Sequence, residues 1–226
     1  MLGGDINVVP YRGVYARCSG VIWNLMPSDL YFACLDGSWN HDGDSLWGEA
    51  TDGETGGDVD LLPEVCVGRA PVETATEVSN FVARCLAAEE LPSSLFRACF
   101  AGECLFNANA QGGDALDTLL PAFNNSFCPV AWLDDRPQLS AVWTASDALV
   151  ALNSSPLLVA HFGHGSDSAY DTTAMRLTGT DLDALTNAAP FLFYSTACNT
   201  GALDNDPWGD DCFAEELVKR TLHGAF

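Results

Sequence analysis

Six short apolar runs, each too brief for a stable helix, alternate along this chain with longer stretches whose apolar residues recur at spacings of three and four. The runs are Leu30–Leu35, Glu64–Arg69, Phe96–Ala101, Pro129–Leu133, Leu157–Phe162 and Pro190–Cys198. Most are apolar on both faces, the pattern of strands covered on both sides. Between them, Thr74–Glu90 sets Val78, Phe81, Val82, Cys85 and Leu86 on one helical face. Asp114–Asn124 does the same with Leu116, Leu119, Leu120 and Phe123. Ser146–Leu152, Thr180–Thr186 and Asp211–Leu222 are shorter helical segments. The expected class is α/β: a mostly parallel sheet with helices on both faces, its chemistry at the carboxyl ends of the strands. With 226 residues, 48% of them hydrophobic, the chain can bury a full core, and disorder is excluded.

The charge narrows the partners. Nine basic against 31 acidic residues give a net charge of −22, which repels phosphate backbones and argues against nucleic acid. Such a surface suits cations, basic peptides or a calcium-rich medium. No stretch approaches the ~18 apolar residues of a membrane span. The opening MLGGDINVVPYR has neither a basic n-region nor a long apolar h-region. Nine cysteines form no CxxC pair, so no zinc knuckle is expected. Disulfides and buried thiols both stay open for them, and the odd total leaves at least one thiol unpaired in a monomer.

Three segments could carry chemistry. HFGHGS, His161 to Ser166, closes a strand and sets His164 between two glycines, where a substrate backbone can come close. His161 reads as a packed strand histidine. A zinc site on His161, His164 and Cys198 is a rival, but residues i and i+3 of a strand point to opposite faces. PFLFYSTACNTG, Pro190 to Gly201, ends another apolar run on Cys198 and a small polar turn. Two such strands side by side would bring Cys198 near His164, the pairing that thiolate chemistry needs. The third segment lies in the one long loop, Asp36–Asp60. In DGSWNHDGDSLWGE, Asn40, Asp42, Asp44 and Glu49 fall at or beside positions of an EF-hand-type loop, with Gly43 at the sharp turn. Ser38 stands where the first ligand is normally Asp. Asp52, Glu54, Asp58 and Asp60 add further acids, and a structural calcium ion would relieve their repulsion. A solvated acidic loop is the alternative.

The order of these blocks resembles the gingipain family of cysteine endopeptidases, relatives of the caspases and clostripain. The resemblance rests on GHGS, then a strand ending in ACNTG, then CFAEELVK, preceded by SDLYFACLDG and PEVCVGRAPV. It implies a three-layer α/β/α caspase-like domain spanning 1–226, secreted or at the cell surface, that cleaves protein or peptide substrates after a basic residue. Cys198 would be the nucleophile and His164 the general base and acid, with the Gly165 and Cys198 amides as oxyanion hole; the chemistry needs no cofactor. Glu103 falls where a carboxylate assists the histidine. Asp114, eleven positions on, falls where a carboxylate receives a basic P1 side chain, although a helix N-cap would also explain it. The same dyad could pass the acyl group to an amine, as a transpeptidase processing exported proteins. A non-catalytic, calcium-stabilised surface module is the rival from another class. LGGDINVVPYR resembles an internal strand of the family and relatives run on past HGAF, so truncation at both ends is expected.

Overall fold

The computed structural model describes residues 1–18, 20–49, 57, 59–90, 97–105, 111–123, 130–136, 142–171, 176–204 and 211–226. Phe96, Asn124, Cys128, Pro129 and the acidic Asp52, Glu54 and Asp58 lie outside the described residues. The chain packs as two compact units, Met1–Glu73 and Thr74–Phe226.

In the first unit, β1 (Leu2–Gly3) pairs in parallel with β4 (Arg69–Ala70). An antiparallel hairpin, β2 (Arg12–Cys18) and β3 (Val21–Ser28), carries a bulge between Val14 and Ala16. Leu30–Leu35 reads as a strand from sequence but folds as the short helix α1 (Leu30–Ala33). Its entry is set by Ser28 Oγ, which accepts from Leu30 N at 3.1 Å, and a six-residue apolar run holds no period to separate the two states. The Glu64–Arg69 run contributes only Arg69 to a strand. That arginine reaches Asp29 through two parallel bonds, Nε at 2.7 Å and NH2 at 2.6 Å. Beyond α1, the described residues of the long loop hold no regular element. Its Trp39 and Val59 pack with Cys34 into a small core.

The second unit is built on four parallel strands in the order β11 (Leu192–Thr196), β7 (Leu158–Phe162), β5 (Ala98–Gly102), β6 (Val130–Asp134). Strand β5 is buried throughout, and its side chains alternate between two cores. Cys99 and Ala101 join Val159, Leu152, Phe213 and Leu217 on one face; Ala98 and Phe100 join Ala160 and Leu116 on the other. Helices α5 (Ala145–Asn153) and α6 (Phe213–Lys219) cover the first face, α3 (Gly112–Asp117) and α4 (Leu120–Phe123) the second. This is the expected three-layer arrangement. Thr180–Thr186 forms a 3-10 helix, Gly179–Ala184, and a small antiparallel sheet, β8 (His164–Ser166), β9 (Ala169–Asp171) and β10 (Arg176–Thr178), extends beyond β7.

Two helices depart from their sequence patterns. The single helix expected over Asp114–Asn124 is broken at Thr118–Leu119, because Pro121 offers no amide to continue the ladder. Helix α2 (Ala75–Glu89) starts on a capping box between Thr74 and Glu77, but the expected buried face is not the one that docks. Val78, Val82 and Leu86 are 45%, 47% and 57% exposed, while Asn80 and Arg84 are buried. Carbonyls at the end of α6 explain the rotation. Asn80 Nδ2 donates to Lys219 O at 3.3 Å, and the Arg84 guanidinium donates to Thr221 O and to His223 O. Satisfying orphan carbonyls with a cation outweighs burying two valines and a leucine.

Candidate active site

Gly102, Phe162 and Thr196 form one rung across β5, β7 and β11, the last at the carboxyl edge of all three strands. Glu103 is one residue past that rung, and His164 and Cys198 are each two residues past it. The parallel register therefore delivers the three side chains to the same edge. Glu103 N donates to Phe162 O at 3.0 Å and Gly163 N to Thr196 O at 3.2 Å, so the pairing continues into the site.

Glu103 is buried and holds the histidine from two directions. Its Oε2 accepts from the His164 backbone amide at 2.6 Å and lies 3.2 Å from His164 Nδ1. Burial pushes the Glu103 carboxyl above its ordinary range, and the amide and ring of His164 pull it back. The half-exposed His164 ring thus has its Nδ1 side tied to a carboxylate.

Cys198 is exposed and free. Cys34, Cys66, Cys85, Cys99 and Cys212 carry no disulfide either. Burial pushes Cys99 and Cys212 up to about 12, which makes them inert; they are packing groups. After Cys198 the chain turns through Asn199 at a φ of 57°, a left-handed conformation that asparagine tolerates better than most residues. Helix α6 fixes this turn to the histidine loop. Its first amides, Phe213 N and Ala214 N, donate to Asp167 O at 2.6 Å and Thr200 O at 2.9 Å. Gly165 closes the gap. A Cβ there would lie 2.7 Å from Thr200 Cγ2 and 2.8 Å from both Ala197 Cβ and Cys198 O. Only a glycine lets the two loops touch.

Asp114 is the third residue of α3, where Gln111 takes the cap position, so the N-cap explanation does not hold. Its Oδ1 pairs with Arg136 NH1 at 2.9 Å. Asp117 and Asp134 bind the same guanidinium, Asp134 Oδ2 at 2.7 Å from Nε, so three carboxylates surround one cation. Nothing in the sequence pattern marked Arg136. The tight turn at Asn199 had a signal in the Asn-Thr-Gly that follows the strand.

The zinc reading does not survive: among the described residues the donor atoms of His161, His164 and Cys198 are not gathered within 4.8 Å. His161 is a packed strand histidine, as expected. In the acidic loop, Asp42 Oδ1 accepts from Asp44 N at 3.1 Å and Asp44 Oδ1 from Leu46 N at 2.6 Å. Asn40 Oδ1 is buried without a hydrogen-bond partner among the described residues, and Gly43 turns at a φ of 76°. Among the described residues, the carboxylates that do gather within 4.8 Å are Asp36, Asp60 and Glu64, not Asp42, Asp44 and Glu49. No helix among the described residues is long and apolar enough to cross a membrane.

Two solved structures share this architecture. One is the "Crystal structure of the Arg specific cysteine proteinase gingipain R (RGPB)", with a TM-score of 0.67 at 18% identity. The other is the "Complex of Porphyromonas gingivalis RgpB pro- and mature domains", with a TM-score of 0.61 at 18% identity. Each superposes on 96% of this chain, which spans 44% of the length of either structure. No curated protein sequence matches it. The sequence profile of Peptidase family C25 matches residues 1–226 from end to end, and the chain belongs to that family.

Proposed function

We propose that this chain carries the catalytic centre of a cysteine endopeptidase. In the reaction, the Cys198 thiolate attacks the scissile carbonyl carbon, forming the C–S bond. The Gly165 and Cys198 amides hold the oxyanion, and the His164 imidazolium protonates the departing amine as the C–N bond breaks. Water, deprotonated by His164, then hydrolyses the S-acyl intermediate and restores the thiol. Glu103 keeps the imidazole oriented and stabilises its charged form. The observation that carries this reading is the Glu103–His164 pair standing level with a free, exposed Cys198 at one sheet edge.

A basic P1 side chain at Asp114 is our finer assignment. It is supported by a carboxylate that already binds one guanidinium within a cluster of surplus negative charge. We also assign a structural calcium ion to Asn40, Asp42, Asp44 and Glu49, supported by the orphaned Asn40 oxygen and the Gly43 turn; the three carboxylates are not gathered within 4.8 Å, so the ion would have to draw them together. The enzyme would work outside the cell, secreted or at its surface.

The test is cleavage of peptide libraries by this chain and by Cys198→Ala. The expected result is cleavage after Arg or Lys, abolished in the variant. Cleavage by the variant at the parent rate would overturn the nucleophile. Product analysis with an added amine separates hydrolysis from transpeptidation, since both proceed through one thioester.

A further inference from the structure

His161 lies on β7 with its ring buried between three neighbours. Its Nδ1 is 2.9 Å from Ser195 Oγ on β11, its partner in the sheet register. Its ring packs on Tyr170 of β9, with centroids 4.4 Å apart. Its Nε2 is buried and has no hydrogen-bond partner among the described residues. That nitrogen does not face an apolar wall. The point where a side chain on Gly163 would begin is 2.7 Å from His161 Nε2 and 2.7 Å from Glu103 Oε2. The Glu103 oxygen is the one that receives the His164 amide and faces the His164 ring.

We propose that His161 is a positioning residue for the Glu103–His164 pair: its Nε2–H faces Glu103 across the space Gly163 leaves empty and holds that carboxylate ionised and turned toward His164. The proposal rests on the peptidase reading of the site. The tautomer follows from charge. Ser195 Oγ can rotate to donate to Nδ1, which leaves the ring proton on Nε2, and an N–H facing a carboxylate is favoured where a lone pair would be repelled. Burial holds the ring neutral by depressing His161 to about 3. A neutral N–H offsets part of the desolvation that raises Glu103 without adding a second cation to compete with His164. Among the described residues, the polar and titratable groups that face His161 are Ser195 on β11, Tyr170 on β9 and Glu103 beyond β5. Gly163 is part of the device, since any side chain there would wedge the two polar atoms apart.

The experiment is an NMR titration of the His164 ring, which needs no turnover; with four histidines in the chain the signals are assignable by substitution. In His161→Phe the ring remains but the N–H is gone, and the His164 midpoint is expected to fall by about one pH unit as Glu103 loses charge. His161→Gln offers an amide N–H in place of Nε2–H and should restore most of that fall. Glu103→Gln should lower the midpoint further still. If His161→Phe leaves the midpoint unmoved while Glu103→Gln lowers it, the proposal is overturned and the peptidase site stands. If neither moves it, the Glu103–His164 pairing fails along with the proposal. A fall in His161→Phe that His161→Gln does not restore marks a packing effect and also overturns it.

Discussion

Replacing Gly165 by alanine puts the site geometry under direct test. The new methyl would meet Thr200 Cγ2 at 2.7 Å and Ala197 Cβ and Cys198 O at 2.8 Å. Carbon–carbon contacts are comfortable at about 3.5–4.0 Å, so the loops must part by roughly 0.7 Å or more. Thr200 cannot simply yield, because it is buried and its carbonyl is bound by Ala214 N. Displacement therefore falls on the Cys198 and His164 loops. Misplacement near 1 Å costs about 10²-fold in rate, and overpacking costs about 1–3 kcal/mol in stability. Gly201→Ala is the matched control, since a Cβ at Gly201 meets nothing within 4 Å. The assay is kcat/KM on an arginine-containing peptide, alongside thermal melts and the alkylation rate of Cys198 by peptide mass spectrometry. The expected outcome is a loss near 10²-fold in Gly165→Ala and near-parent activity in Gly201→Ala. A folded Gly165→Ala enzyme with the parent's kcat/KM would refute the claim that these loops are held in contact.

Three further outcomes are expected. His161 is held near 3 in the fold, while the unfolded chain takes up its proton near 6.5, so stability is lost as pH falls through that window. Between pH 7 and pH 4.5 the loss is on the order of 2–3 kcal/mol, and urea midpoints of His161→Phe should escape it; parallel curves for the two proteins would sink the idea. Asp114→Asn should lower kcat/KM for arginine at P1 by about tenfold or more, with little change in melting because its ion pair with Arg136 is exposed. An unchanged P1 preference would remove Asp114 from the specificity account. EDTA should lower the melting temperature by several degrees, and added calcium should restore it; an unmoved melt would assign the 36–60 loop to its own hydrogen bonds.

The legible part of this fold was the sheet. Runs apolar on both faces, such as Leu157–Phe162, can only be satisfied between two layers, and β7 is buried on both. Where the runs ended, the candidate site residues lie at one edge, since parallel strands in register bring their ends together. Leu30–Leu35 was misread because a half-dozen apolar residues do not reveal their period. The face of α2 was misread because periodicity records only apolar spacing, whereas Arg84 answered carbonyls far away in sequence. The β2–β3 hairpin escaped because its outward side chains Ile22, Trp23 and Leu25 mask any polar alternation. In the site, Glu103 was legible only through resemblance. Its grip on His164 depends on a loop contact across 61 residues that no local pattern encodes.

Under the proposed preference for basic residues, the scarcity of positive charge has a consequence, because at high concentration such an enzyme is its own nearest substrate. The sole lysine, Lys219, is buried against Asp211, and Arg69, Arg84, Arg136 and Arg220 are anchored by carboxylates or carbonyls. Among the described arginine side chains only Arg17 and Arg97 are exposed. Under that proposal, Arg17 and Arg97 are the exposed described positions at which self-digestion would begin, and its first nicks would report which of them opens sooner.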